Sequence, residues 1–179
     1  MKKIKIFLAS SEELKEERLE LAGLIGHMNY ALEKSDAKLY LVKWEYLDAS
    51  MSPIHKQEEY NKKLEECDIC IVLFWTRFGK YTKTELDTAF RKKGEGGLKK
   101  LYVSFKDGTG NETPELTEFK SGFNKNYGLP YSTFHDAHEL KIEFLKLFDE
   151  IQKELLDDCF PIFFTTDGVY LNDEKLINA

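Results

Sequence analysis

The sequence is poor in cysteine and proline and has no long apolar run. Three cysteines are an odd number and far too few for a disulfide framework, so a secreted, stapled fold is excluded and a cytoplasmic chain with reduced thiols is expected. No apolar stretch approaches the roughly 20 residues of a membrane helix. Met1-Lys2-Lys3 is followed by only a short strand-like run, without the apolar segment and small-residue cleavage site of a signal peptide. An excess of positive charge is also missing. Lys and Arg total 26 against 32 Asp and Glu, a net charge of −6, which disfavours a general nucleic-acid binder. Neither nucleic acid nor membrane is an expected partner. There is no internal repeat and no low-complexity segment.

Several chemical signatures fail on inspection. No G-x-S-x-G elbow is present. Gly79-Lys80 followed by Thr82 lacks the second Walker A glycine, whose position is Phe74. Gly94 to Gly97 precede a strand instead of linking strand to helix, so they form no dinucleotide fingerprint. Cys67-Asp68-Ile69-Cys70 enters a strand, where residues three apart point to opposite faces. Buried structural thiols are the expectation there, not redox or metal chemistry. His135 and His138 have no third ligand nearby and read as loop and cap residues. No metal site is expected, and no prosthetic group. The runs Lys62-Lys63, Lys92-Lys93 and Lys99-Lys100 are short and interleaved with acids, as on a solvated face.

What is present is the size and composition of one soluble globular domain. The chain has 179 residues, 42% of them apolar and 32% charged. Ile4–Ala9 is a buried-strand run, and Leu14, Leu21, Ile25, Met28 and Leu32 then recur at helical spacing behind a Ser10…Glu13 capping box. Leu39–Trp44 is a second strand. Ser52-Pro53 opens a charged helix to about Glu66. Asp68–Trp75 is the most hydrophobic stretch and reads as a central parallel strand covered on both faces. Thr82 and Glu85 form another capping-box pair at the head of a helix that ends at Gly94-Glu95-Gly96-Gly97. Leu98–Phe105 is a fourth strand, Thr113-Pro114 opens a fourth helix, and Leu129–Phe134 holds a short fifth strand. Asp136 and Glu139 cap a long last helix. Five strand–helix alternations predict an α/β fold, a flavodoxin-like open five-stranded parallel sheet with helices on both faces. After Cys159 the period is lost. Gly168–Leu171 and Lys175–Ile177 read as a hairpin, expected to begin a linker to a further domain.

In such a sheet, functional residues collect beyond the carboxyl ends of the strands. The segment Phe74-Trp75-Thr76-Arg77-Phe78-Gly79-Lys80-Tyr81-Thr82-Lys83-Thr84-Glu85 leaves the central strand there. Aromatic residues crowd it, and Glu85 lies in the first turn of the following helix, where the dipole favours a carboxylate. Flat apolar walls and one anion suit a ligand with aromatic rings, sugar hydroxyls and developing positive charge. Trp44 and Trp75 stand at strand ends, where each could equally stack on a ligand or finish the core. Ser10 explains itself as an N-cap and Asp48 as a turn residue, and the Thr82…Glu85 pair reads by itself as a plain capping box.

Here the sequence resembles a TIR (Toll/interleukin-1 receptor/resistance) domain of the prokaryotic type, over roughly Lys3 to Leu156. Lys5-Ile6-Phe7-Leu8-Ala9-Ser10-Ser11 is similar to the family's opening box, although it lacks the arginine–aspartate pair of plant and animal members. Asp48 to Pro53 falls on the BB loop, and Tyr81 and Glu85 on the aromatic-x-x-x-Glu motif, where tryptophan is usual. The resemblance implies a TIR-like domain over residues 1–158 and an extension over 159–179. It implies NAD as substrate, with Glu85 catalytic and Ser10, Ser11, Trp44, Asp48, Phe78 and Tyr81 binding the ligand. The products would be nicotinamide and ADP-ribose or its cyclic form. It further implies self-association through TIR–TIR contacts, a downstream sensor or oligomerisation domain, and a role in bacterial antiviral defence or signalling. The rival readings are a non-catalytic interaction module, a nucleoside 2-deoxyribosyltransferase-like enzyme and, more distantly, a flavodoxin-like electron carrier.

Overall fold

The protein is described by a computed structural model that covers residues 2–33, 37–42, 53–79, 81–108, 110–156 and 160–178, with the backbone alone over 53–57. Among these residues the order of elements is β1 (Lys2–Ser10), a 3-10 turn (Glu12–Leu14), α1 (Lys15–Ala31), β2 (Ala37–Val42), α2 (Pro53–Glu65), β3 (Ile69–Phe74), α3 (Thr82–Gly94), β4 (Lys100–Lys106), α4 (Pro114–Tyr127), β5 (Ser132–Phe134) and α5 (Ala137–Leu155). Three short strands follow, β6 (Ile162–Thr165), β7 (Gly168–Leu171) and β8 (Glu174–Asn178). The first five strands form one sheet in the order β2-β1-β3-β4-β5. β1 with β3, β3 with β4, and β4 with β5 pair in parallel. This is the flavodoxin-like α/β architecture that the alternation of apolar runs and amphipathic segments predicts.

The chain divides into two compact units. One holds the inner part of β1 together with α2, β3, α3, β4, α4 and β5. Every residue of β3 is buried, which is why its sequence is apolar without alternation. Phe7 and Ala9 of β1, Cys70, Val72 and Phe74 of β3, and Leu101, Val103 and Phe105 of β4 share one core with Tyr60 and Leu64 of α2, Leu86 and Ala89 of α3, and Leu116 and Phe123 of α4. Register pairs Phe7 with Cys70 and Ala9 with Val72, then Val72 with Val103 and Phe74 with Phe105. Asp68 sets that register. Its carboxylate accepts from the Lys5 amide at 2.8 Å, its own amide donates to the Lys5 carbonyl at 2.9 Å, and its carbonyl accepts from the Lys99 amide at 2.8 Å. Asp68, just before β3, therefore ties that strand to Lys5 within β1 and to Lys99 just before β4. Buried Tyr60 donates its hydroxyl to the Leu8 carbonyl at 3.0 Å.

The other unit holds α1, α5, most of β2 and the terminal strands. Asn29 of α1 makes a paired bond to Leu39 of β2, donating to its carbonyl at 2.9 Å and accepting from its amide at 2.8 Å. The expected hairpin after α5 forms as β7-β8, and β6 pairs antiparallel with β7 to extend it into a three-stranded meander, β6-β7-β8. The β6 stretch Ile162-Phe163-Phe164-Thr165 escaped the sequence reading because it has no alternation: Phe163 and Phe164 are both exposed. Val169, Leu171, Leu176 and Ile177 supply the buried side of the meander. Gln152 accepts from the Phe160 amide at 2.7 Å, and Asn172 donates to the Ala31 carbonyl at 3.4 Å. No helix of the described residues is long and apolar enough to cross a membrane.

Helix ends follow the sequence signals in part. Thr113 accepts from the Leu116 amide and Asp136 from the Glu139 amide, as their N-cap positions predict, and Gly128 closes α4 in the left-handed region. The cysteine pair is structural. Cys67 and Cys70 are buried free thiols, and burial pushes Cys67 up to about 12 and Cys70 well above its ordinary value. Beside them Lys92 of α3 is buried too. Its ammonium donates to the carbonyls of Leu64 at 3.1 Å and Cys67 at 2.8 Å, closing the end of α2. Burial holds Lys92 below the usual lysine range, so desolvation opposes these bonds. Lys92→Met keeps the stem but removes the ammonium donor from both carbonyls, leaving Leu64 with only the Cys67 amide at 3.0 Å. Its urea unfolding midpoint is expected to fall by the equivalent of about 1–3 kcal/mol. An unchanged midpoint would mean that relief from the buried charge cancels the lost bonds.

Candidate functional site

The site lies where the chain leaves β1 and β3. β1 is flanked by β2 on one side and β3 on the other, so the strand order reverses there, and in open α/β sheets ligands bind beyond the carboxyl ends of the strands at such a point. Ser10 ends β1 in register with Leu73. The loop after β3 carries Trp75 to Tyr81 into α3.

Two sequence expectations fail at these loops. Neither the Ser10…Glu13 pair nor the Thr82…Glu85 pair is a capping box. The 3-10 turn starts from Ser11, and α3 from Tyr81, each without a side-chain cap. A one-residue shift of the helix start explains the second case. A capping box needs threonine at the non-helical cap and glutamate at the third helical position. Thr82 is already helical and Glu85 is fourth, its amide making the first bond of the helix to the Tyr81 carbonyl at 3.0 Å. At that position Glu85 joins Thr82, Leu86, Ala89 and Lys92 on the buried stripe of α3.

Glu85 is consequently 5% exposed, and among the described residues its carboxyl has no hydrogen-bond or ion-pair partner. Burial pushes it up to about 8. The helix N-terminus should favour the anion, but desolvation outweighs it. The Cys70 thiol of β3 is an electrostatic neighbour. A carboxyl group buried without a partner costs stability and marks a candidate functional position.

Glu13 has the opposite environment. Its carboxylate accepts from the Thr76 hydroxyl at 2.6 Å, the Ser11 hydroxyl at 2.9 Å, the Thr76 amide at 3.1 Å and the Arg77 amide at 3.4 Å. Partial burial alone would raise it, but these bonds hold it below the usual carboxylate range. The two loops also touch at Gly79. A Cβ there would lie 2.9 Å from the Ser11 Cα and collide with the Thr82 hydroxyl, so only glycine fits this approach.

The ligand-binding candidates separate. Ser10 and Ser11 stand at this junction, Ser10 donating to the Ser11 carbonyl at 3.3 Å and Ser11 buried. Tyr81 is half-buried at the head of α3. Phe78 turns into the aromatic core, edge-on to Phe74 at 5.7 Å and to Phe119 at 5.0 Å. Trp75 lies under the Lys106 ammonium, 4.0 Å from its ring centre. Trp44 and Asp48 lie outside the described residues. Glu13, Thr76 and Gly79 were not legible as site residues. Glu13 reads as a cap, and its bonds to Thr76 and Arg77 span more than 60 residues.

A flavodoxin-like sheet with one buried carboxyl at its switch point defines the general class. Within it, the chain matches the domain of unknown function DUF4062 over residues 5–147 and belongs to that family. No curated protein matches it. Among solved structures it is similar to a CMP N-glycosidase, BcmB, from Clostridium botulinum, with 17% identity and a TM-score of 0.47 over 80% of this chain and 98% of that one. It is also similar to the RPS4 and RRS1 TIR domain heterodimer, at 12% identity and a TM-score of 0.45 over 83% and 96%. A 2-desoxiribosyltransferase from Leishmania mexicana follows, at 14% and 0.37 over 72% and 82%. These are similarities of shape at low identity and assign no activity to the chain.

The raised Glu85 carboxyl predicts a pH effect on folding. Between its ordinary 4.5 and about 8, the unfolded chain releases this proton while the folded chain keeps it. Stability therefore falls as pH rises through that window. Glu85→Gln removes this dependence, so the variant gains on the wild type by about 1.4 kcal/mol per pH unit there, measured as urea midpoints from pH 4 to 9. The slope is the test, because the buried amide adds a constant offset of its own. Parallel curves would show that Glu85 is not desolvated.

Proposed function

We propose that this chain is an NAD glycohydrolase that cleaves the nicotinamide–ribose bond. The observation that carries the reading is the Glu85 carboxyl at the start of α3, buried and, among the described residues, without a hydrogen-bond or ion-pair partner. The resemblance of the sequence to prokaryotic TIR domains, which implies a catalytic role for the same residue, supports this reading. The leaving group of NAD is a cationic pyridinium. When the bond between C1′ and the ring nitrogen breaks, the electron pair stays with the ring and nicotinamide departs neutral, with no proton donor required. The developing charge is on the sugar, which becomes oxocarbenium-like as in glycoside hydrolysis. An ionised Glu85 would stabilise that charge in a dry site or hold the ribose hydroxyls. A water that attacks C1′ gives ADP-ribose and releases a proton, which Glu85 can accept. Capture by the adenine ring instead would give the cyclic product. Burial by itself favours the neutral acid at pH 7, and a cation beside it shifts the balance toward the carboxylate. Ser10, Ser11 and Tyr81 are the described candidates for ligand contact. In this reading the enzyme is cytoplasmic, activated by self-association and joined to a downstream sensor, as an effector of bacterial defence.

The raised Glu85 carboxyl also favours a second reading. A carboxylic acid neutral at pH 7 suits protonation of a neutral nucleobase leaving group. That chemistry belongs to a deoxyribosyltransferase-like or nucleotide N-glycosidase-like enzyme. The pH profile separates the two. Purified protein incubated with NAD is expected to release nicotinamide, followed by chromatography, with kcat/KM rising toward pH 8. Glu85→Gln should reduce release by roughly 10²-fold or more, and specific activity should rise with protein concentration. Turnover of deoxynucleosides or nucleotides that falls toward pH 8, without NAD cleavage, would transfer the assignment to the second reading. No turnover of either, even when the protein is artificially clustered, would leave an interaction module.

A further inference from the structure

The inference concerns how the Glu85 site is held shut, and it rests on Glu85 being the functional carboxyl rather than on NAD as its substrate. We propose that Glu13 is a positioning residue whose carboxylate latches the loop after β1 to the loop after β3, and that this latch keeps water away from Glu85.

The geometry is specific. One oxygen of Glu13 receives the Ser11 hydroxyl, the Thr76 amide and the Arg77 amide, and the other receives the Thr76 hydroxyl. Two of these donors are main-chain amides of a loop more than 60 residues away in sequence. Such amides in an irregular segment have no ladder to join. Ionised acceptors make the stronger bonds, so an anion here organises the start of the β3 loop. A second contact lies further along the same loop. Gly79 approaches the Ser11 backbone so closely that a Cβ would not fit. Gly79 in turn accepts from the Thr82 amide at 3.3 Å, and Thr82 is one turn before Glu85 on the same buried stripe of α3. The latch thus acts on Thr76 and Arg77, the loop returns to Ser11 at Gly79, and α3 starts from there with Glu85 inward. Glu13 does not touch a reacting atom. It acts by holding the loop that leads into α3, whose first turn carries the carboxyl that does.

The dryness of Glu85 is readable without any substrate. Urea unfolding is followed from pH 4 to 9 for the full chain, Glu85→Gln, Glu13→Gln and the double variant. With the latch intact, the folding equilibrium gained by Glu85→Gln grows about tenfold per pH unit up to about pH 8. Without it, water reaches Glu85 and its titration moves back toward the ordinary range. The growth should then stop at least one pH unit lower, a loss of about fivefold or more in the gain at pH 8 that approaches tenfold at pH 9. The Cys70 thiol, the titratable neighbour from β3, stays neutral across this range because burial holds it well above its ordinary value. A merely structural role for Glu13 would lower every curve equally and leave the Glu85 titration in place; that result overturns the proposal. If Glu13→Gln does not fold, Thr76→Val removes the shortest bond at nearly constant volume, with the same expected and overturning outcomes. A wild type in which Glu85→Gln brings no pH-dependent gain would overturn the latch together with the dry site it serves. Failure to cleave NAD would overturn only the functional reading, because no arm of this experiment uses turnover.

Discussion

Strand β3 is buried along its whole length, and both of its faces must therefore be apolar. The remaining architecture follows from satisfying that strand. Its backbone groups need a neighbour on each side, which β1 and β4 supply in parallel register. Parallel neighbours need crossover helices, and α2, α3 and α4 place Leu64, Leu86, Ala89, Leu116 and Phe123 in the core shared with its Cys70, Val72 and Phe74. The ends of these strands are polar where the chain can still reach a partner. Asp68 at the start joins Lys5 and Lys99, and Thr76 just beyond the end bonds Glu13. The site exists because the loops of β1 and β3 leave the same edge of the sheet.

Two carboxyl groups at that edge are treated in opposite ways. Glu13 receives four hydrogen bonds and stays ionised below its ordinary range, although it is partly buried. Glu85 receives none among the described residues, and burial alone moves it up to about 8. The hydrogen bonds to Glu13 favour its anion, whereas desolvation favours the neutral acid of Glu85. The cost of Glu85 is borne by the apolar stripe of α3 beside it, where Leu86 and Ala89 are fully buried. A position that lowers stability without a structural partner is where function is the better explanation.

The chemistry available to Glu85 depends on what enters. Burial alone keeps the acid mainly neutral at pH 7, which suits donating a proton. A cationic ring beside it would favour the carboxylate, which suits stabilising positive charge on a sugar. Both descriptions concern cleavage of a bond between a sugar and a nitrogen base, and they differ in the charge of the leaving group. The family, DUF4062, carries no activity in its description, so the site and not the family supplies the argument.

Much of the fold was legible in the residues themselves. The unbroken apolar run at Ile69–Phe74, the helical spacing in Lys15–Ala31 and Ala137–Leu155, and the caps at Thr113 and Asp136 are local signals, and the elements formed where they lie. β6 was not legible, since two exposed phenylalanines in Ile162–Thr165 have neither alternation nor a buried face of their own. Glu85 was legible as a candidate because a carboxylate after an aromatic loop at a strand's carboxyl end is visible in one dimension. Its partnerless burial was not, because that depends on a one-residue shift of the helix start that turns the side chain inward. Glu13 was misread as a cap, since Ser10…Glu13 satisfies the local pattern while its real donors lie more than 60 residues along. By itself the sequence determined which segments become strands and helices and in what order they alternate, because those depend on periodicity and capping over a few residues. Only the tertiary structure decided which acid is paired and which is left dry, because hydrogen bonding and desolvation are set by neighbours that folding brings together.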